Sequence, residues 1–302
     1  MRTGRALLIG LAATVVVAGG TAFRALRAPA YPLPAVRGEL VARQIPHGGQ
    51  DRGHLLYVPP VLADPVPVVL VLHGSAANGE RMRRATGAAF DVLADRDGAV
   101  VVYPDGVAGH WHDCRTAGDN PARVAGADDV GYLRALVAAL DAEPALAGRR
   151  VDRERVFAFG LSNGGQMALR LALEAPDLVA GVAAVAASLP AAGNSDCAAR
   201  DAPVPVLLVN GDADPISPYG GGTVTVLGPF GARGEVQSAP ASAAWFARRA
   251  GHDGEPFEHR YPDEDPADGT VATRHIGGAR GRAEGAVVTM QRGAHTIPHR
   301  RK

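Results

Sequence analysis

Residues 155–173 read RVFAFGLSNGGQMALRLAL and change character halfway along. Before Gly160 the stretch has the pattern of a short buried strand, and after Gly164 that of an apolar helix. Between them lies Ser162, with Gly160 and Gly164 two residues to either side. A strand that runs into a helix through so few residues must bend its backbone hard, which residues without a Cβ permit.

The rest of the chain repeats the alternation. HLLYVP (54–59) and PVVLVLHG (67–74) read as strands, the second a continuous apolar run of the kind found in central parallel strands. RRATGAAFDVLADRDG (83–98) reads as one helix with a glycine stop, and AVVVYPDG (99–106) as a buried strand. DDVGYLRALVAALDAEP (128–144) reads as a helix whose leading carboxylates suit its positive end. Beyond the opening stretch, 178–187 and 203–211 read as strands, 239–251 as a helix and 285–293 as a final strand. Strand and helix in this order specify an α/β fold, a mostly parallel central sheet with helices on both faces. Stretches 215–240 and 252–285 read as long surface connections or small additions, not as separate domains.

The chain has 302 residues, 47% of them hydrophobic, ample for a sizeable core. Its formal net charge of +0 gives no basic field to recruit nucleic acid. MRTGR followed by the apolar run ALLIGLAATVVVAGGTAF reads as an export signal over residues 1–27. The run is about 18 residues, at the lower limit for crossing a bilayer, so an uncleaved anchor is the alternative and the only expected membrane contact. Residues 28–45, starting with the Pro-rich APAYPLPAVR, read as a linker into one folded domain over 46–302. The expected location is therefore secreted, or in the periplasm or cell envelope. Export permits disulfides, and the two cysteines are Cys114 and Cys197. A bridge between them is the first expectation, and two unpaired buried thiols the alternative.

Gly160-Leu161-Ser162-Asn163-Gly164 fits the G-x-S-x-G elbow, which holds a serine exposed on a strained strand-to-helix turn. Serine attacks only when a base removes its proton, so the elbow requires an acid and then a histidine later in the chain. VPVLLVNGDADPISPY (204–219) offers Asp212 and Asp214. Asp212 directly follows Gly211 and suits a turn cap, whereas Asp214 lies further into the loop and is the expected acid. Ten histidines are available, and His295 alone follows the last strand in a small-residue loop. His275 precedes that strand, and His299 sits in the charged terminus HRRK. His295 would take the Ser162 proton while Asp214 orients the imidazole and stabilises its cation. The oxyanion would be held by the Asn163 main-chain N–H and by Ser75 or Ala76 in LVLHGSAANG (70–79). In HWHDC (110–114) two histidines so close together on a loop, with no matching cluster elsewhere, do not make a metal site. Trp111 reads as a wall of the substrate pocket and Cys114 as a disulfide partner. YPDEDPADG (261–269) lacks the ligand spacing of a calcium loop.

With these residues placed, the chain resembles the secreted polyhydroxybutyrate-depolymerase and feruloyl-esterase group of α/β-hydrolases. The likeness covers about residues 50 to 298. It rests on VVLVLHGSAANG, VVYPDG with HWHDC, DDVGYLRALV, RVFAFGLSNGGQMALRLA, LLVNGDADPISPYGGG and GAHTIP, in that order. The resemblance implies an α/β-hydrolase catalytic domain, a Ser162–Asp214–His295 triad and no cofactor. It also implies short hydroxyalkanoate esters, or feruloyl and acetyl esters of polysaccharide, as substrates. Aromatic content of 5% disfavours a surface for gripping solid polymer, so a small or soluble ester is expected. The expected function is an exported serine carboxylic-ester hydrolase. The alternatives are a serine peptidase or amidase on the same fold, or a non-catalytic cell-envelope protein, which would normally have lost a triad residue.

Overall fold

The computed structural model describes residues 33–226, 231–263, 266–267, 269–277 and 285–298. The proposed export segment and His299 lie outside these residues. An antiparallel hairpin, β1 (Glu39–His47) and β2 (Gln50–Val58), opens the described chain. Then come β3 (Val66–Leu72), α1 (Gly79–Ala85), α2 (Ala89–Asp97) and β4 (Val100–Pro104), with α3 (Pro121–Val124) and α4 (Asp129–Ala139) after them. β5 (Val151–Leu161) runs into α5 (Asn163–Glu174), and β6 (Gly181–Val185) and β7 (Val206–Gly211) follow. The remainder is a small hairpin of β8 (Gly222–Thr225) and β9 (Ala232–Val236), then α6 (Ala239–Arg249) and the strands β10 (Phe257–Arg260), β11 (Val271–Gly277) and β12 (Gly285–Gln291).

All strands but β8 and β9 share one sheet, in the order β1-β2-β4-β3-β5-β6-β7-β12-β11-β10. From β4 to β12 neighbouring strands are parallel, and antiparallel pairs close both ends. β3 is buried at every position except Val69, as its unbroken apolar run requires of a strand covered on both faces. One face packs Val68, Leu70, Leu72, Val156 and Ala158 against α4, α5 and α6 through Leu133, Leu136, Val137, Met167, Leu171 and Phe246. Each fully buried Val, Leu or Met side chain among them contributes about 1.5–3 kcal/mol. The other face packs Val71, Val101, Tyr103 and Tyr57 against Met82 of α1 and Ala94 of α2. There a buried chain of polar contacts ties α1 to α2 and to β4: Arg83 donates to Asp91 at 2.6 Å and Tyr103 donates to the other Asp91 oxygen at 2.6 Å. Beyond α2 the same face carries an apolar groove of about 630 Å³ between Leu93, Phe157, Leu207 and Tyr261. None of Ser162, Asp214 and His295 lines it.

Several sequence expectations are corrected. The linker read over 28–45 gives way at Glu39 to β1, an edge strand that turns, of its apolar residues, only Val41 and Ile45 partly inward and so shows little of the alternation that marks a half-buried one. The single helix expected over 83–98 is two, because Gly87 and Ala88 both adopt left-handed φ, +60° and +51°, and break the ladder. The helix expected to reach residue 144 ends at Ala139 and continues as short 3₁₀ turns. The stretches 215–240 and 252–285, read as connections or small additions, hold a small hairpin of β8 and β9 and two strands of the main sheet, β10 and β11, none of which the sequence reading placed. β10 is exposed at all four positions, so no buried face is written in its sequence.

Candidate active site

The strand order reverses between β3 and β5, which lie side by side although β4 comes between them in the chain. Crevices at such switch points, outside the carboxyl ends of parallel strands, are where open α/β sheets bind ligands. Ser162 follows β5 at this place, with φ +54° and ψ −116°, a conformation costly for any residue with a Cβ. Its N–H donates to Val185 O at 2.8 Å and its carbonyl accepts from Gln166 N, so both neighbouring elements hold the bend. The flanking glycines are sterically required. A Cβ on Gly160 would lie 2.0 Å from Gly164 O, and one on Gly164 would lie 2.3 Å from Leu72 O.

Asp214 and His295 stand beyond the ends of β7 and β12, which are parallel neighbours. His295 Nδ1 lies 2.7 Å from Asp214 Oδ2, in donating geometry to a carboxylate whose side chain has no exposed surface. The other oxygen, Oδ1, accepts from the N–H groups of Ile216 at 2.8 Å and Ser217 at 2.9 Å, which aims the carboxylate. Asp212 is occupied elsewhere, accepting from Arg292 N at the turn after β12. The loop that carries His295 returns toward the elbow, since Ile297 and Leu161 pack on the same apolar cluster. Among the described residues no hydrogen bond joins Ser162 Oγ to His295. Such contacts often tighten only when substrate is bound.

The strand-end loop after β3 passes directly beside the elbow: a Cβ on Gly74 would lie 3.4 Å from Leu161 O and 3.7 Å from Ser162 Cβ. Ser75 and Ala76 form the exposed turn that follows, with Ala76 at φ +54°. His73 is fully buried beneath it. Its Nε2 accepts from Gly106 N at 2.9 Å, so the proton sits on Nδ1 and is donated to Gly74 O at 2.7 Å. Burial holds the imidazole neutral and pushes its pKa down to about 4.

The structure places Trp111 differently from the expectation. It has no exposed surface and so cannot be a pocket wall. Its ring packs on His73 with centroids 4.9 Å apart, and its indole N–H donates to His73 O at 2.9 Å. The Asn163 side chain, also buried, pairs with the Trp111 main chain, accepting from its N–H at 2.7 Å and donating to its carbonyl at 2.9 Å. Asn163 Nδ2 also donates to Asp113 Oδ2 at 2.7 Å, and Arg115 pairs with that carboxylate at 2.5 Å. His110 and His112 turn their Nδ1 atoms to the carbonyls of Ala108 and Ala127. Asp129 accepts from His112 N at 2.6 Å and from Arg52 at 2.7 Å, so the start of α4 also holds this loop.

Cys114 and Cys197 are bridged, with Cα atoms 5.1 Å apart. Asn194, which sequence reasoning missed, joins the loops around that bridge. Its Oδ1 accepts from Ala117 N at 2.9 Å and its Nδ2 donates to the carbonyls of Arg233 and Glu235. An asparagine in a loop bears no local sign that it will pair with segments 77 and 41 residues away.

A mostly parallel sheet with helices on both faces, and a G-x-S-x-G elbow at the carboxyl end of β5, define an α/β-hydrolase. Within that class the chain belongs to the esterase PHB depolymerase family, matching it over residues 53–244, and it is a carboxylic-ester hydrolase. It is 31% identical over 280 residues to "Putative esterase NocK" of Nocardia uniformis subsp. tsuyamanensis, covering 89% of this chain and 77% of that one. It is also 36% identical over 121 residues to a poly(3-hydroxybutyrate) depolymerase of Ralstonia pickettii, covering 38% of this chain and 24% of the relative. Among solved structures it is similar to an acetyl xylan esterase from Aspergillus awamori, with TM-score 0.56 and 16% identity over 86% of this chain and 95% of that one.

Proposed function

We propose that this esterase is exported and acts as a serine hydrolase through an acyl-enzyme. Ser162 Oγ attacks the ester carbonyl, and His295 Nε2 takes its proton and returns it to the leaving alcohol. Asp214 holds the imidazole with its proton on Nδ1 and stabilises the imidazolium as it forms. The tetrahedral oxyanion accepts from the main-chain N–H of Asn163, the first unpaired donor of α5, and from Ser75 N–H. Water then repeats the cycle on the acyl-enzyme. The observation that carries this reading is the 2.7 Å pairing of His295 with a doubly anchored Asp214, on the same sheet edge as a serine held at φ +54°.

The family and the relative named a poly(3-hydroxybutyrate) depolymerase support short hydroxyalkanoate esters as substrates, and acetyl or feruloyl esters of polysaccharide are the other class. Export is supported by the apolar run of residues 6–23 and by the Cys114–Cys197 bridge. Among the described residues no helix is long and apolar enough to cross a membrane. The domain plan is an export segment over 1–27, a linker shortened to end before Glu39, and one catalytic domain from β1 onward.

Labelling with a fluorophosphonate probe tests the nucleophile. The wild type should label and Ser162→Ala should not, with turnover of p-nitrophenyl butyrate lost in parallel. A panel of hydroxybutyrate oligomers, methyl ferulate, acetylated xylan and a peptide amide then ranks the substrates. Peptide cleavage faster than ester cleavage would overturn the ester assignment.

A further inference from the structure

We propose that Trp111 is the positioning residue that sets the gap between the two walls of the oxyanion hole. Its main chain holds Asn163 and its indole holds the strand-end loop at His73. The inference rests on the Ser162 reading above and extends it to a residue that touches no substrate.

The two donors of the hole come from parts of the chain far apart in sequence, the start of α5 and the loop after β3. The β3–β5 ladder sets them side by side as far as its last pair, Leu72 with Gly160, and the donors themselves lie beyond that pair. Trp111 touches both. On one side the Asn163 carboxamide pairs with the Trp111 peptide as one peptide pairs with another, accepting at 2.7 Å and donating at 2.9 Å. Only an amide side chain can do this, because it presents a donor and an acceptor in one plane. Its second N–H goes to Asp113, whose charge Arg115 offsets, so both amide protons are used. On the other side the indole N–H reaches His73 O at 2.9 Å, and the ring lies against the His73 imidazole. The peptide that follows this carbonyl leads through Gly74 to the Ser75 N–H. Asn120 donates to the Trp111 carbonyl at 2.8 Å, and the bridge at Cys114 tethers the same loop three residues on. Oxyanion donors act through fixed distances of about 2.7–3.1 Å, so a brace across the hole bears on the transition state more than on substrate binding.

The test is Trp111→Phe, which keeps a ring in the core but removes the indole N–H together with part of the ring that packs on His73. Turnover of p-nitrophenyl butyrate should fall about tenfold or more with KM within about twofold, since full loss of one donor costs about 10²–10³-fold. Affinity for phenylboronic acid, whose tetrahedral adduct on Ser162 places an oxygen in the hole, should fall by a similar factor. Unchanged kcat and boronate affinity in the folded variant would overturn the brace, whatever its Tm. So would a raised KM at unchanged kcat, which would place the effect in substrate binding rather than in the transition state. If Trp111→Phe does not fold, Asn163→Ala keeps the main-chain donor, removes the tether and is read in the same way. Wild type that binds no boronate, or turnover that survives Ser162→Ala, would overturn the Ser162 reading and this one together. A Ser162-dependent enzyme indifferent to Trp111→Phe would overturn the brace alone.

Discussion

Asp214 gives one carboxylate oxygen to His295 at 2.7 Å and the other to two main-chain N–H groups, whereas Asp212, two residues earlier, caps the Arg292 turn. The two acids therefore do separable jobs. Asp214→Asn should lower kcat about 10⁴-fold by favouring the wrong imidazole tautomer, with little change in Tm. Asp212→Asn should keep kcat within a few-fold and cost about 1 kcal/mol of stability. Steady-state kinetics and thermal melts on the two variants check this; equal activity losses would refute the division.

The elbow stores strain that can be released. Ser162 has a Cβ at φ +54°, in a region that costs about 1–3 kcal/mol. Ser162→Gly should be more stable than Ser162→Ala by about 1 kcal/mol, although both lack the proposed nucleophile. Gly164→Ala should act the other way, because the new methyl would meet the main-chain oxygens of Leu72 and His73 at 2.3 and 2.4 Å. A loss of about 3 kcal/mol is expected, measured by urea unfolding.

Acidification should destabilise the fold in a defined window. His73 stays neutral in the fold down to about 4 because of burial, against 6.5 for an unperturbed histidine. Between these values the unfolded chain binds more protons than the folded one, so stability falls as pH falls through the window and is fully present above it. Burial of His54 acts with the same sign. The whole effect is roughly 3 kcal/mol for His73, and part of it should be visible as a falling Tm between pH 7 and 5, before carboxylates titrate. A Tm that is flat over that range would refute it.

Breaking the Cys114–Cys197 bridge should cost about 2–5 kcal/mol, as expected for a cross-link between residues 83 apart. Urea unfolding of the double Cys→Ala variant, against wild type with and without reductant, measures it. Identical midpoints would show that the surrounding hydrogen bonds suffice.

Legibility in the sequence followed chain punctuation. Ser162, Asp214 and His295 each stand just past an apolar strand, so the period-2 and breaker signals that mark strand ends also mark them. The parallel core was legible for the same reason. β1 and β10 were not: of its apolar residues β1 turns only Val41 and Ile45 partly inward, with an exposed Arg43 between them, and β10 is exposed throughout. Trp111 was misread because an indole flanked by histidines on a loop looks solvent-facing. What buries it is a pairing with Asn163, 52 residues away, that leaves no mark in either local pattern. Asn163 itself was singled out for its backbone, while its side chain proved equally engaged.

The bridge also bears on how the molecule withstands cutting. Cys114 and Cys197 close a covalent ring that contains α4, β5, Ser162, α5 and β6, so the whole elbow lies inside it. A protease that nicks any exposed turn between residues 115 and 196 leaves the fragments joined. On a non-reducing gel such a molecule keeps its full mass. The serine then stays chained to the loop beneath it even after the polypeptide has been cut.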